Sequence, residues 1–293
     1  MGAKRAKGAQ GATGALGARG AKSATGAGGT RVLAIAAHPD DIEFMMAGTL
    51  ILLADEGWEV HCLNVSSGNL GSLTLSPAQT AKVRRAEAQN AARSIKATWH
   101  PSICNDLEVF YDDRTLRRLT AIVRQVDPSI VLTHSPHDYM EDHMNTARLA
   151  VTATFARGVP GYRTVPSCKP VQTAVTIYHG SPHGLSDGLR RRVIPEAFVN
   201  TTTVQDRKRE ALACHASQRD WLDATQGMDS YIATMDEFAR RLGSMSGKFK
   251  YAEGWRRHLH YGFGDEGADP LKDVLKGRYR LNARYARALE AGA

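Results

Sequence analysis

The chain has 293 residues, 42% hydrophobic and 23% charged, a balance that argues for a globular protein and against a disordered or fibrous one. The net charge of +8 does not describe a nucleic-acid platform, because the excess sits at the ends. Residues 1–30 hold Lys4, Arg5, Lys7, Arg19 and Lys22 without an acid, residues 271–293 are again basic, and the body between is slightly acidic.

Residues 1–30 are Gly, Ala, Lys, Ser and Thr with almost nothing to bury, and are expected to be a disordered basic tail. Glycine recurs every third position from Gly8 to Gly20, too few triplets, and without proline, for a collagen helix. From Arg31 the pattern alternates. Apolar runs at 31–36, 59–65, 98–103 and 129–133 predict buried strands; amphipathic or apolar stretches at 43–55, 77–96, 112–126 and 142–155 predict helices. Ser76 and Pro77 mark the start of the second helix, as cap and first residue. The run 45–54 is too short to span a bilayer. Further strands are expected at 172–178 and 193–200, and helices at 204–224 and 228–242. Strands alternating with helices predict an α/β fold, a Rossmann-like and mostly parallel sheet with helices on both faces. One domain over 31–270 is expected, followed by a basic tail at 271–293. Cys62, Cys104, Cys168 and Cys214 form no Cys-x-x-Cys pair, which argues against a cysteine metal site or a disulfide framework and for a reducing, cytoplasmic setting.

In such sheets ligands bind beyond the carboxyl ends of the strands, at the point where strand order reverses. Two loops at that edge are rich in ligand chemistry. His38-Pro39-Asp40-Asp41 follows the first strand. The segment from Thr133 to His143 carries His134, His137, Asp138, Glu141, Asp142 and His143. If the strands are neighbours, His38, Asp41 and His143 converge as two histidines and a carboxylate, a catalytic zinc set. Asp40 would then take the proton of bound water, and Asp142 could accept from a ligand histidine. Other readings stand beside this one. Asp40 and Glu43 have the spacing of a capping box, Asp142 or Asn145 could cap the next helix, and His61 and His134 could be structural.

His38-Pro39-Asp40-Asp41 behind one apolar strand and Asp142-His143 behind another resemble the PIG-L/LmbE family of zinc-dependent de-N-acetylases. Arg84-Arg85-Ala86-Glu87 matches that family's Arg-x-x-Glu pattern, and the segments CHASQ (214–218) and YAEGWRRH (251–258) resemble two later ones. The resemblance covers residues 31–262. It implies removal of an acetyl group from an N-acetylglucosamine-type sugar or glycoconjugate. It implies Zn²⁺, or another divalent ion such as Fe²⁺ or Mn²⁺, on His38, Asp41 and His143. Asp40 would be the general base and Arg84 would contact the substrate. No specific nucleic-acid partner and no membrane span are expected; a homo-oligomer is. The chain departs from the family at Met140, where a histidine often stabilises the tetrahedral intermediate or protonates the amine. Methionine does neither. His137, His215 and His258 are candidates for that role, with His215 favoured as the catalytic residue because it lies in a family-like segment. The alternative is a catalytically impaired protein that binds metal and sugar.

Overall fold

The computed structural model describes residues 2, 30–218 and 231–291. The expected N-terminal tail therefore lies outside the described residues apart from Gly2 and Thr30, as do the end of the helix expected at 204–224 and the start of the next.

Strand β1 (Arg31–Ala36) runs through the middle of the parallel part of the sheet. Val32, Ala34 and Ala36 join one apolar cluster, and Leu33 and Ile35 the cluster on the opposite face. Burial on both faces is why this strand reads as an unbroken apolar run instead of an alternating one. Helices α1 (Asp41–Met45) and α2 (Ala47–Asp55) lead to β2 (Glu59–Asn64), and α3 (Pro77–Ser94) leads to β3 (Ala97–His100). Then come α4 (Asp113–Val126), β4 (Ile130–Thr133), α5 (Glu141–Ala156) and β5 (Thr176–Gly180). Ser76 and Gln79 close a reciprocal capping box on α3, and Asp112 caps α4 by accepting from the Thr115 amide at 2.7 Å.

β3, β2, β1, β4 and β5 lie side by side and parallel, so the order reverses between β1 and β4. The expected mostly parallel α/β sheet with helices on both faces is thus present. Three antiparallel strands extend it: β6 (Ala197–Asn200), β7 (Ala252–Arg257) and β8 (Tyr279–Leu281), in the order β5-β7-β6-β8. The sequence reading anticipated β6 as a longer strand and missed β7 and β8. The basic tail expected from residue 271 is a correction of substance. Leu271 and Leu275 on the helix Pro270–Leu275 are buried, and Tyr279 of β8 packs with them in the core. The Lys and Arg side chains between these anchors made a folded amphipathic segment look like a tail.

Helix α6 (Gln205–Ala213) and helix α7 (Tyr231–Ser246) cover the face of the sheet that carries α1 and α2. Glu253 of β7 fastens this layer. Its carboxylate accepts from the Gly48 amide (2.8 Å), the Thr49 amide (2.8 Å) and hydroxyl (2.6 Å), and Lys208 Nζ of α6 (2.6 Å), all buried. A carboxylate at the N-terminus of α2 meets unpaired amides and the positive end of the helix dipole. Gly48 leaves no room for more: a Cβ there would overlap Thr201 and lie 2.9 Å from Glu253 Oε1.

Candidate metal centre and cavity

The parallel register pairs Ile35 of β1 with Thr133 of β4, so the loops that follow leave the sheet side by side. In the first loop the Asp41 carboxylate accepts from the His38 amide at 2.7 Å, and Asn64 at the end of β2 donates to the His38 carbonyl at 2.6 Å. Asp40 precedes α1 with φ 114° and makes no side-chain cap bond. The capping-box reading of Asp40 and Glu43 is therefore corrected: Glu43 turns into the core, and the left-handed backbone at Asp40 aims its carboxylate at a cavity. An L-residue rarely adopts such a backbone, and its cost is of the kind that functional sites carry.

Ligand-type atoms of His38, Asp41 and His143 lie within 4.8 Å of one another. His38 Nδ1 is 3.4 Å from Asp41 Oδ2, and His143 Nε2 is 3.5 Å from Asp41 Oδ1. The opposite nitrogen of each imidazole is anchored on a carboxylate. His38 Nε2 lies 3.1 Å from Asp142 Oδ2, and His143 Nδ1 lies 3.1 Å from Asp138 Oδ1. With those nitrogens donating, His38 Nδ1 and His143 Nε2 keep their lone pairs for a shared ion, the arrangement that holds ligand histidines in tautomer and orientation. Two imidazoles and one carboxylate suit Zn²⁺ and leave further positions open. His134, Asp138 and His143 form a second group of suitable spacing. There His134 Nε2 already accepts from the Ala37 amide at 2.8 Å, which spends its lone pair.

The charges agree with this assignment. Burial opposes ionisation of Asp41, but His143, helped by His38, outweighs it and holds its carboxyl well below the usual range. Burial likewise works against a charged His38, and the Asp142 and Asp41 carboxylates reverse that, lifting it to about 10. Without metal the site therefore holds a proton that an ion must displace. Asp40 differs from its neighbour. Burial raises it to about 6, Arg84 pulling the other way.

His38, Asp40, Asp41 and His143 line one side of a cavity of about 340 Å³. Arg84, on α3, reaches in beneath Asp40: its guanidinium lies 3.3 Å from Asp40 Oδ2 and donates to the Pro39 and Gly68 carbonyls. Gly68, at φ 72°, is required there, since a Cβ would stand 2.6 Å from the guanidinium. The other walls are mostly apolar: Phe44, Met45, Leu70, Leu107, Tyr139, Met140 and Tyr231, with His183 among them.

The structure thus brings His38, Asp40, Asp41, Arg84, Asp142 and His143 together. Asp142 backs His38, while Asp138 backs His143. His215 is within electrostatic reach of Asp40, but it is fully buried, pairs with Glu43 at 3.1 Å and does not line the cavity. His137 is exposed on its loop, and His258 contacts His179 at 3.0 Å beside a different cavity. Sequence reasoning missed Asp106 and His183. Asp106 accepts from Ser66 Oγ (2.8 Å) and from the Gly68 (2.7 Å) and Leu70 (3.0 Å) amides, shaping the loop under Arg84. His183 follows β5, another strand ending at the ligand-binding edge, and that position was the signal available.

A profile of the family PIG-L, described as GlcNAc-PI de-N-acetylase, matches residues 33–154. The 4-oxalmesaconate hydratase of Pseudomonas putida is 31% identical over 194 residues, covering 64% of this chain and 73% of that protein. The diacetylchitobiose deacetylase of Thermococcus kodakarensis is 27% identical over 233 residues, 77% of this chain and 82% of that one. Among solved structures, the 4-carboxy-2-hydroxymuconate hydratase of Pseudomonas putida aligns with a TM-score of 0.65 and 26% identity, over 78% of this chain and 95% of its own. The N,N'-diacetylchitobiose deacetylase of Pyrococcus horikoshii aligns with a TM-score of 0.66 and 24% identity, over 83% and 88%, a likeness of fold.

Proposed function

Because the chain belongs to the PIG-L family, we propose that it is a metal-dependent hydrolase that removes the N-acetyl group from an N-acetylglucosamine-type substrate. One observation carries this reading: the lone pairs of His38, Asp41 and His143 converge at the wall of a cavity into which a second, differently tuned carboxylate, Asp40, also faces. The relatives named as deacetylases support it. A zinc ion held by the three residues would lower the pKa of water to about 7 and polarise a carbonyl oxygen. Asp40 accepts the proton of the attacking water as the new C–O bond forms. It then returns that proton to the nitrogen as the C–N bond breaks, releasing acetate and an amine. Burial, which favours the protonated form of Asp40, suits a group that must take a proton and give it back. Arg84 holds Asp40 in place and, by its position in the cavity, also meets the sugar or its substituent.

A second reading has its own support. The Pseudomonas putida relative is named a hydratase, and Met140 offers no proton donor for an amine. Water activated at the same group would then add across a carbon–carbon double bond of an unsaturated carboxylate. One experiment separates the two. Zinc-loaded protein is assayed for primary amine released from N-acetylglucosamine and N,N'-diacetylchitobiose, and for loss of conjugated absorbance from 4-oxalmesaconate. Amine release is expected. Absorbance loss without amine would replace the hydrolase reading with the hydratase, and zinc binding with neither reaction would leave a protein that only binds. In either active case Asp40→Asn should cost about 10²–10⁴ in rate at unchanged metal content; full activity in that variant would remove Asp40 as the base.

A further inference from the structure

We propose that His183 is a catalytic residue, the N–H donor that stabilises the substrate's carbonyl oxygen as negative charge develops on it; this rests on the amide-cleaving reading above. Met140 leaves that task open, and the histidines suggested by sequence do not reach the cavity. Among the described residues lining it, His38 and His143 are committed to the ion, and His183 is the remaining histidine.

The turn carrying His183 is built to present it. β5 ends at Gly180, Pro182 keeps the chain extended, and Gly184, at φ 75°, reverses it. Leu185 then plugs into the core, with its amide on the Pro182 carbonyl at 2.9 Å. The imidazole stands among three rings: Phe44 at 5.3 Å, Tyr139 at 6.2 Å, and Phe238 of α7 at 6.2 Å, nearly parallel. Neither ring nitrogen has a hydrogen-bond partner among the described residues, although every other histidine lining the cavity has one. A solvent-exposed imidazole that rests on aromatic rings and lines the cavity, with both nitrogens uncommitted, can turn an N–H to a substrate bound there.

The charges of Asp138, His143 and Asp41 all act on His183, which places it within electrostatic reach of the ion site. Partial burial lowers its pKa, the pull of Asp138 and Asp41 notwithstanding. It is therefore neutral at pH 7 and acts as a hydrogen-bond donor instead of a proton donor, which leaves proton return to Asp40.

The test uses zinc-loaded protein and three variants. His183→Ala removes the ring, His183→Phe keeps the stacking on Phe238 without the N–H, and His183→Gln restores a donor. For amine release from N-acetylglucosamine, kcat should fall about 10²–10³-fold in the Ala and Phe variants, with KM and zinc content unchanged and Gln retaining more. Methylphosphonate, a tetrahedral anion resembling the hydrated acetyl group, should bind about 10-fold or more weakly to both by calorimetry. Wild-type turnover in the Phe variant, or undiminished methylphosphonate affinity, would overturn the assignment. Should the wild type release no amine, the hydrolase reading fails, and the methylphosphonate comparison still decides His183.

Discussion

Asp138 and Asp142 stand four residues apart and serve different histidines. Asp142 meets His38 across 104 residues of sequence and also accepts from the Leu107 amide at 2.8 Å. Asp138 meets His143 five residues on and also accepts from the Tyr139 (2.7 Å) and Met140 (3.2 Å) amides. Against burial, the histidine first and then the amides hold each carboxylate ionised, and the amides fix it in place, so each can hold a ring. Removing one should loosen the ion without dismantling the fold. Asp138→Ala is expected to weaken zinc binding about 10–100-fold, measured by competition with a chromophoric chelator, and an unchanged affinity would show that His143 is oriented by packing alone. The candidate ligand set was legible in sequence because its residues sit in two short loops beside readable strands. Their carboxylate partners were less so. Spacing shows that Asp142 adjoins His143, yet its partner is set by the direction in which the side chain leaves the first turn of α5. His183 was least legible, since a lone histidine after a proline carries no pattern of its own.

At the scale of elements, the parallel strands were legible because burial on both faces leaves a simple mark, a run of Val, Leu, Ile and Ala. The antiparallel half leaves none. β7 reads Ala-Glu-Gly-Trp-Arg-Arg, with a carboxylate, a glycine and two arginines in six residues. Each exception has a local reason that only the fold supplies. Glu253 caps α2, Gly254 passes Ser181 and Pro195 too closely for a Cβ, and Arg257 pairs with Glu196 at 3.0 Å. Glu253 also neutralises Lys208, both side chains only 1% exposed. Glu253→Ala would strand a buried ammonium and two helix-end amides, and should cost about 3–5 kcal/mol in urea unfolding. Replacing both partners, as in Glu253→Gln with Lys208→Met, should recover much of that loss, since an uncompensated charge costs more than a missing pair. A single variant as stable as the wild type would mean that water reaches Lys208. The same knot bears on the site, because α2, the helix it caps, follows one residue after α1, which begins at Asp41 directly behind His38 and Asp40.

For the whole molecule, the two halves of the sheet meet at β5, and a row of histidines marks the seam. His179 of β5 donates from Nδ1 to the His134 carbonyl at 2.7 Å, and its Nε2 faces His258 Nδ1, just past β7, at 3.0 Å. With one nitrogen donating, the other accepts from His258 while His179 is neutral, and a second proton on His179 would require His258 to move its own proton to its other nitrogen. Burial first, and then His258 and nearby cations, depress His179 to about 4, the carbonyl bond offsetting only part. At the far edge His100 of β3 is likewise held at about 4 by burial and by His61. In the unfolded chain both titrate near 6.5. Between pH 6.5 and pH 4 the unfolded state therefore binds protons that the folded state refuses, so stability falls as pH falls through that window and is unaffected above it. For His179 the gap corresponds to about 3 kcal/mol; half-exposed His100 adds less. His179→Asn keeps a donor for the His134 carbonyl but cannot titrate. Its urea-unfolding free energy should fall less than the wild type's between pH 7 and pH 4.5, by about 2–3 kcal/mol. Comparing the two proteins at each pH cancels the carboxylates and the ion site, which titrate alike in both, so equal slopes would show that His179 accepts its proton without breaking the seam.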